Sequence, residues 1–212
     1  MKIYGHFMSA PANQVRLTAS AIGAEHDYVH VDLATQEQKT PEYQAINPLG
    51  RVPALDDDGF KLSESNAISR YLACRQGDCA LYPNDAKARA TIDQWMDYSS
   101  HHVRAAMAKV LFNTLFAPMM GMEVDEKSMA EGREQLSNAL PHVNAALEKN
   151  AFLAGDAMTI ADTAMLAAME PFEMIKVDLE PYPAVVKWRQ GLMAQPFYQN
   201  VHAHYAAEMP QS

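Results

Sequence analysis

The chain has only two cysteines among its 212 residues. They are Cys74 and Cys79, five apart in SRYLACRQGDC, and no CxxC pair occurs. That count rules out a disulfide framework, and a zinc site would need more ligands. Both read as structural thiols. Basic runs are missing too. The 17 Lys and Arg are outnumbered by 26 Asp and Glu, a net charge of −9, and no stretch could neutralise successive phosphates, which argues against nucleic acid as a partner. Long apolar runs are also absent. Only Ile3 and Tyr4 stand between Lys2 and Gly5-His6, so no signal-peptide core is expected. The most apolar stretch, 151–169, is broken by Asp156 and Asp162, short of the ~20 clean residues a bilayer helix needs. A cytoplasmic location follows as an expectation, with no membrane partner. No GxSxG elbow, internal repeat or low-complexity tract appears, so serine-hydrolase chemistry has no support.

What is present suits a folded core, since 49% of the residues are hydrophobic. Lys2 to Tyr4 reads as a strand, Pro11 to Ile22 as a helix with Val15, Leu17, Ala19 and Ile22 apolar, and Tyr28 to Leu33 as a second strand. A hairpin and a further helix follow, a βαβ-ββα order that predicts a thioredoxin-like domain over residues 1–77. GDCALYPND, 77–85, reads as a linker. From 86 to 212 the pattern is all helical. Ile92, Trp95, Met96, Ser99, Val103, Met107, Val110 and Leu111 recur at spacings of three and four, one long helix with a buried face. Helices are also expected over 126–149, 160–174, 183–194 and after Pro196. Thr159-Ile160-Ala161-Asp162 matches a capping box with a structural role.

The segment NPLGRVPALDDDGFKLSESNAI, 47–68, carries the chemistry. A cis bond at Val52-Pro53 would turn the Val52 N–H and carbonyl outward, free to pair with the peptide group of a ligand. Ala54 and Leu55, the turn residues Asp56, Asp57, Asp58 and Gly59, and Phe60-Lys61-Leu62 read as a β-hairpin. Ser63 or Ser65 then caps a helix with Ala67, Ile68, Tyr71 and Leu72 as its apolar stripe. Glu64 and Ser65 sit where orphan N–H groups and the helix dipole attract an anion. The arrangement suits a short acidic peptide held backbone to backbone.

In order and spacing, Val-Pro, hairpin and Glu-Ser-x-Ala-Ile resemble the glutathione-binding half of the soluble glutathione transferases. KIYGHFMSAPANQVRLTASAIG at the N-terminus is similar to the first strand and helix of the serine-type classes, phi and theta, and GDAMTIADTAML at 155–166 to a capping segment of that family's helical domain. The resemblance covers most of the chain. It places Ser9 at the catalytic serine, as a hydrogen-bond donor to the thiolate of glutathione. QEQKTPEY sets Gln38 and Lys39 at the glycyl carboxylate, and Arg51 and Val52, beside Pro53, at the cysteinyl backbone. Two departures stand out: phi enzymes usually have His where Gln38 stands and Gln where Arg51 stands. The resemblance implies a glutathione transferase conjugating the thiolate to hydrophobic electrophiles or reducing hydroperoxides, working as a homodimer with glutathione as co-substrate and neither cofactor nor metal. The rival reading is a non-catalytic binding module on the same fold. Cysteine-dependent relatives carry Cys where this chain has Ser9, so exchange through a protein mixed disulfide lacks a nucleophile.

Other candidates have a second reading. His101 and His102 are adjacent and point apart on a helix, so they do not form an i, i+4 metal pair. Lys39, Arg51 and Arg104 could equally be solvated surface. Met107, Leu111, Phe116, Met119 and Met120 form an adaptable apolar set that suits either core or a second-substrate surface.

Overall fold

Alternation along β1 (Lys2–Gly5) divides the N-terminal sheet into two faces. The computed structural model describes residues 1–75, 77 and 79–208, the last five by backbone alone; Asp78 of the expected linker and the expected domain end at 212 lie outside the described residues. After β1 come α1 (Ala10–Ala21), β2 (Asp27–His30), a 3₁₀ turn at Glu37–Lys39, α2 (Pro41–Gln44), β3 (Ala54–Asp57), β4 (Phe60–Ser63) and α3 (Ser65–Arg75). The strands run in the order β2-β1-β3-β4, with β1 parallel to β2 and antiparallel to β3, and β3 antiparallel to β4. This is the thioredoxin-like βαβ-ββα plan. Ile3 and Leu55 bury one face against Val15 and Ala19 of α1 and Ile68 and Leu72 of α3. Ala54 and Val31 meet Tyr43 of α2 on the other, with Tyr4 and Val52 packed alongside. Each fully buried aliphatic side chain contributes about 1.5–3 kcal/mol.

The second body is helical. Asp85 caps α4 (Ala86–Tyr98) by accepting from Ala88 N–H at 2.8 Å. The rod continues through a π-helical segment at Ser99–Arg104, α5 (Ala105–Leu111), a second π segment at Phe112–Phe116 and α6 (Ala117–Met119). Then come α7 (Glu126–Lys149), α8 (Ile160–Met169), a 3₁₀ turn at Glu170–Phe172, α9 (Pro183–Met193) and α10 (Pro196–Glu208). Helix α8 is buried on every side, as a central helix must be. Gly132 of α7 explains itself: a Cβ there would lie 2.8 Å from the Ala106 carbonyl oxygen, so a side chain would push α7 off α5.

Contacts divide the chain into two units, Met1–Asn84 together with the segment from Met193, and Asp85–Leu192. Helix α10, expected with the helical half, instead packs against α1. Two boundaries also differ from expectation. Strand β2 ends at His30 because Asp32 turns the chain, its Oδ1 accepting from Ala34 N–H at 2.9 Å and Thr35 N–H at 3.3 Å. Helix α8 stops at Met169, just before Pro171, whose ring has no N–H to continue it. Among the described residues no helix is long and apolar enough to cross a membrane.

Candidate functional site

Strand directions bring the scattered sequence candidates to one end of the N-terminal sheet. Gly5 pairs with His30 in the parallel register, so β1 and β2 leave the sheet together. Tyr4 pairs with Ala54, so β3 enters where β1 leaves, and Ala54 pairs with Ser63, so β4 leaves there as well. The loop carrying Ser9, the turn with Gln38 and Lys39, the Arg51-Val52-Pro53 approach and the Glu64-Ser65 helix start therefore share that end. Both α1 and α3 begin there, directing the N–H groups of their first turns and the positive ends of their dipoles toward it.

Ser9 is the N-cap of α1. Its Oγ accepts from Ala12 N–H at a long 3.4 Å, and its own N–H donates to the His6 carbonyl at 2.9 Å. The cap uses a lone pair of the hydroxyl, whereas its proton goes to no described group. Capping and donation to a ligand are thus compatible. Asn13 ties down the same loop by donating from Nδ2 to the Phe7 carbonyl at 2.8 Å.

The Val52-Pro53 peptide is cis, which meets the condition on which the sequence reading of Val52 depended. Val52 precedes β3, and its approach is pinned by the Arg51 carbonyl, which accepts from Asn47 Nδ2 at 2.6 Å and Tyr43 Oη at 2.8 Å. Burial pushes the Tyr43 phenol well above its ordinary value, which keeps it a donor. Gly50 stands at φ +57, where a Cβ would meet the Gln38 carbonyl oxygen at 2.7 Å. Only glycine permits that approach, which sets Gln38 and Lys39 beside Arg51. Lys39 Nζ donates to the Gly50 carbonyl at 2.9 Å, leaving two of its three donors for another acceptor. The Arg51 residue is exposed. Gln38 Oε1 is shut away from solvent and accepts from no described group. An amide oxygen in that position calls for a donor, so only the NH₂ end of Gln38 could face a carboxylate.

At the fourth strand end Glu64 adopts φ +70, a left-handed conformation unfavourable for a residue with a Cβ. Its carbonyl accepts from Ile68 N–H at 2.9 Å. Glu64 therefore occupies the cap position of α3, where Ser63 or Ser65 was expected, and Ser65 is the first helical residue, 4% exposed. The hairpin is clamped to α3 by Asp57, which accepts from Tyr71 Oη at 2.6 Å, Arg75 Nε at 2.5 Å and Arg75 Nη2 at 3.2 Å. Donation by the Tyr71 hydroxyl, joined by Arg75, holds the Asp57 carboxyl below its usual range.

Sequence reasoning missed several residues at this end. His6 stacks on Phe7 with ring centroids 4.6 Å apart and lies 4.9 Å from His30, and its Nδ1 accepts from Met8 N–H at 3.1 Å. Nothing local in the sequence marks that trio, because His6 and His30 meet only through the parallel pairing of β1 and β2. Tyr43 and Asn47 were passed over as well, although the Asn-Pro dipeptide at 47–48 is itself a turn signal.

Elsewhere the candidates disperse. His101 and His102 border an open cleft of about 450 Å³ with Tyr98 and Lys109. No three His, Cys, Asp or Glu gather as metal ligands among the described residues. Arg104 donates to Ser100 Oγ at 2.7 Å. Cys74 is exposed and Cys79 buried, and neither forms a disulfide. The apolar set splits: Met107 is core at 2% exposure, whereas Met119 and Met120 are 70% and 66% exposed. The rod is interrupted by two π segments, yet the expected buried face persists through Val103, Met107 and Val110, with Leu111 only half-buried.

Comparison with known proteins places the chain among relatives of one family. The family described as "Glutathione S-transferase, N-terminal domain" matches residues 1–74, and "Glutathione S-transferase, C-terminal domain" matches residues 105–196. "Glutathione S-transferase 1" of Zea mays is 33% identical over 208 residues, 96% of each chain. A solved structure of glutathione S-transferase-I bound with lactoylglutathione superposes with a TM-score of 0.82 at 32% identity, over 95% of this chain and 98% of that one. Glutathione transferase F7 from Populus trichocarpa gives 0.85 at 28% identity, over 96% and 98%.

Proposed function

The chain belongs to the glutathione S-transferase family, with plant phi-class relatives, and on that premise we propose that it conjugates the glutathione thiolate to hydrophobic electrophiles. It is a glutathione transferase; the non-catalytic binding module is not favoured, because the curated relatives are named as transferases. The observation that carries the site is the meeting of Ser9, Gln38-Lys39, Arg51-Val52-Pro53 and Glu64-Ser65 at one sheet end, beside two helix N-termini. An extended tripeptide with a carboxylate at each end suits that arrangement. Its γ-glutamyl carboxylate goes to Glu64-Ser65 at the start of α3, its cysteinyl backbone to Val52 flanked by Arg51, and its glycyl carboxylate to Lys39 and the NH₂ end of Gln38. The similar structure solved with lactoylglutathione supports glutathione chemistry here.

Conjugation near neutral pH needs the thiol as thiolate, yet a free thiol titrates at about 8.5. Lowering it by about two units takes about 2.7 kcal/mol. A hydrogen bond to a charged group contributes roughly 1.5–3 kcal/mol and a helix N-terminus roughly 0.3–1. Ser9, with its proton uncommitted at the start of α1, can supply both. The thiolate then attacks an electrophilic carbon, displacing a halide, opening an epoxide or adding to an isothiocyanate. Alternatively it attacks a hydroperoxide oxygen, breaking the O–O bond to release an alcohol and a glutathione sulfenic acid that a second glutathione converts to the disulfide and water. Assaying the protein with glutathione and activated chloroarenes, isothiocyanates, epoxides and hydroperoxides tests this; no glutathione-dependent turnover with any class would leave a binding protein.

Ser65→Ala weakens glutathione binding by about 1–2 kcal/mol, at the low end of a hydrogen bond to a charged group because the helix N–H groups stay in place, with the fold retained. Calorimetric titration at wild-type affinity would remove Ser65 from the site. The working form is proposed to be a cytoplasmic homodimer, with Phe60, 51% exposed at the hairpin and 5.1 Å from the Tyr71 ring, as an apolar contact available to a second copy. Light scattering across micromolar concentrations is expected to give twice the chain mass, and a monomer mass contradicts it.

A further inference from the structure

Between the two helices that begin at the site lies a buried polar patch that the chemistry above leaves unused. Most of the α1 and α3 interface is aliphatic, Val15 and Ala19 against Ile68 and Leu72. Such a contact sets how close the helices lie. It sets their axial register weakly, because hydrophobic surfaces of similar volume repack at small cost. In the same interface Gln14 Nε2 donates to Asn66 Oδ1 at 2.8 Å and approaches Ser69 Oγ at 3.3 Å, while Thr18 Oγ1 donates to Ser69 Oγ at 3.3 Å. Gln14, Thr18 and Ser69 are all 0% exposed. Burying an amide and two hydroxyls costs free energy unless their pairing is kept, so this cluster tolerates one register and penalises sliding.

We propose that Gln14 is a positioning residue for glutathione transfer, fixing the start of α1 against the start of α3 so that one glutathione can engage both Ser9 and Ser65. The inference rests on the site reading given above. Gln14 lies five residues beyond Ser9, and its partner Asn66 is the residue after Ser65. The bond therefore joins the two helices near the ends that hold the ligand. The tripeptide spans those ends. A shift of a few tenths of an ångström would lengthen the Ser9 hydrogen bond to sulfur or strain the γ-glutamyl contact, and catalysis is sensitive to misplacements of that order.

The test compares Gln14→Met, Gln14→Met/Asn66→Leu, Ser9→Ala and Ser65→Ala with the wild-type protein. Readouts are the melting temperature, KM for glutathione and the pKa of the bound thiol from thiolate absorbance. Gln14→Met removes the Gln14 bond to Asn66 Oδ1 and should lower the melting temperature. The double variant removes both polar partners and should recover most of that loss. If Gln14 positions the helices, both variants keep KM for glutathione raised by roughly ten-fold and the thiol pKa raised, whatever their stability. Wild-type KM and pKa in folded Gln14→Met overturn the proposal, as does their return to wild-type values in step with stability in the double variant. If the two serine variants perturb binding and pKa as expected while Gln14→Met does not, only the positioning role falls. If the serine variants are silent too, the site reading falls with it.

Discussion

Asp162→Ala lowers the stability of the helical unit by about 4 kcal/mol, because it orphans buried donors worth roughly 1–3 kcal/mol each and removes a helix cap worth about 1. Asp162 is 0% exposed. Its Oδ1 accepts from Leu153 N–H at 3.1 Å and Trp188 Nε1 at 3.0 Å, and its Oδ2 from Thr159 N–H at 2.8 Å and Thr159 Oγ1 at 3.1 Å. The residue thus closes the capping box of α8, and it also anchors the preceding loop and the indole of α9. Burial pushes its carboxyl pKa up, and the four donors oppose that push. For a chain of this size such a loss corresponds to a melting temperature lower by roughly 8–16 °C. Asp162→Asn keeps the shape and one acceptor but turns an NH₂ toward a donor, so its cost falls between alanine and wild type. Denaturant titration followed by tryptophan fluorescence measures both. An alanine variant within 1 kcal/mol of wild type would contradict the reading.

How legible this protein was depended on the range of the interaction. The Thr159–Asp162 box was readable because its two members are three residues apart, whereas the Leu153 and Trp188 bonds to the same carboxylate were not. The hairpin was readable from its turn, yet that turn is shorter than expected. Asp58 and Gly59 alone take positive φ, 52° and 93°, and β3 runs on to Asp57. Asp57 looked like a turn residue because its partners, Tyr71 and Arg75, lie 14 and 18 residues away. Val52 and Ser65 became candidates because a proline-led strand start and a helix start leave local signatures, whereas Ser9 became one through the resemblance of the N-terminal segment. Gln14 had none: a glutamine on the buried face of a helix only weakens the apolar period, and its meaning lies in Asn66, 52 residues on. The buried face of the long helix was legible past Ser99, since Val103, Met107 and Val110 are 0%, 2% and 0% exposed, whereas the π segments were not, because nothing local announces one.

Ser9→Ala should leave glutathione affinity close to wild type and cut the conjugation rate at pH 6.5 by roughly ten- to a hundred-fold, the equivalent of losing about 1.5–3 kcal/mol of hydrogen bonding to a charged sulfur. Only the sulfur loses a partner; the proposed contacts at Val52, Lys39, Arg51 and Ser65 remain. The pH dependence separates this from general damage. With Ser9 present, the bound thiol's pKa is held below its free value, so thiolate persists at neutral pH. Without it, the pKa rises toward about 8.5, and raising the pH should restore much of the lost rate. Loss of the α1 cap is a competing explanation, since Ser9 Oγ also accepts from Ala12 N–H. That bond is long at 3.4 Å, and Ser9→Gly, which preserves most N-cap stability, controls for it. If the hydroxyl proton is what matters, alanine and glycine raise the thiol pKa alike although only alanine lowers the melting temperature, and Ser9→Thr retains a low pKa. Thiolate absorbance of the four complexes between pH 5 and 9 decides it. Identical pKa values would end the assignment of Ser9 and turn attention to Asn13, which already braces the same loop through the Phe7 carbonyl, and to the first-turn N–H groups of α1.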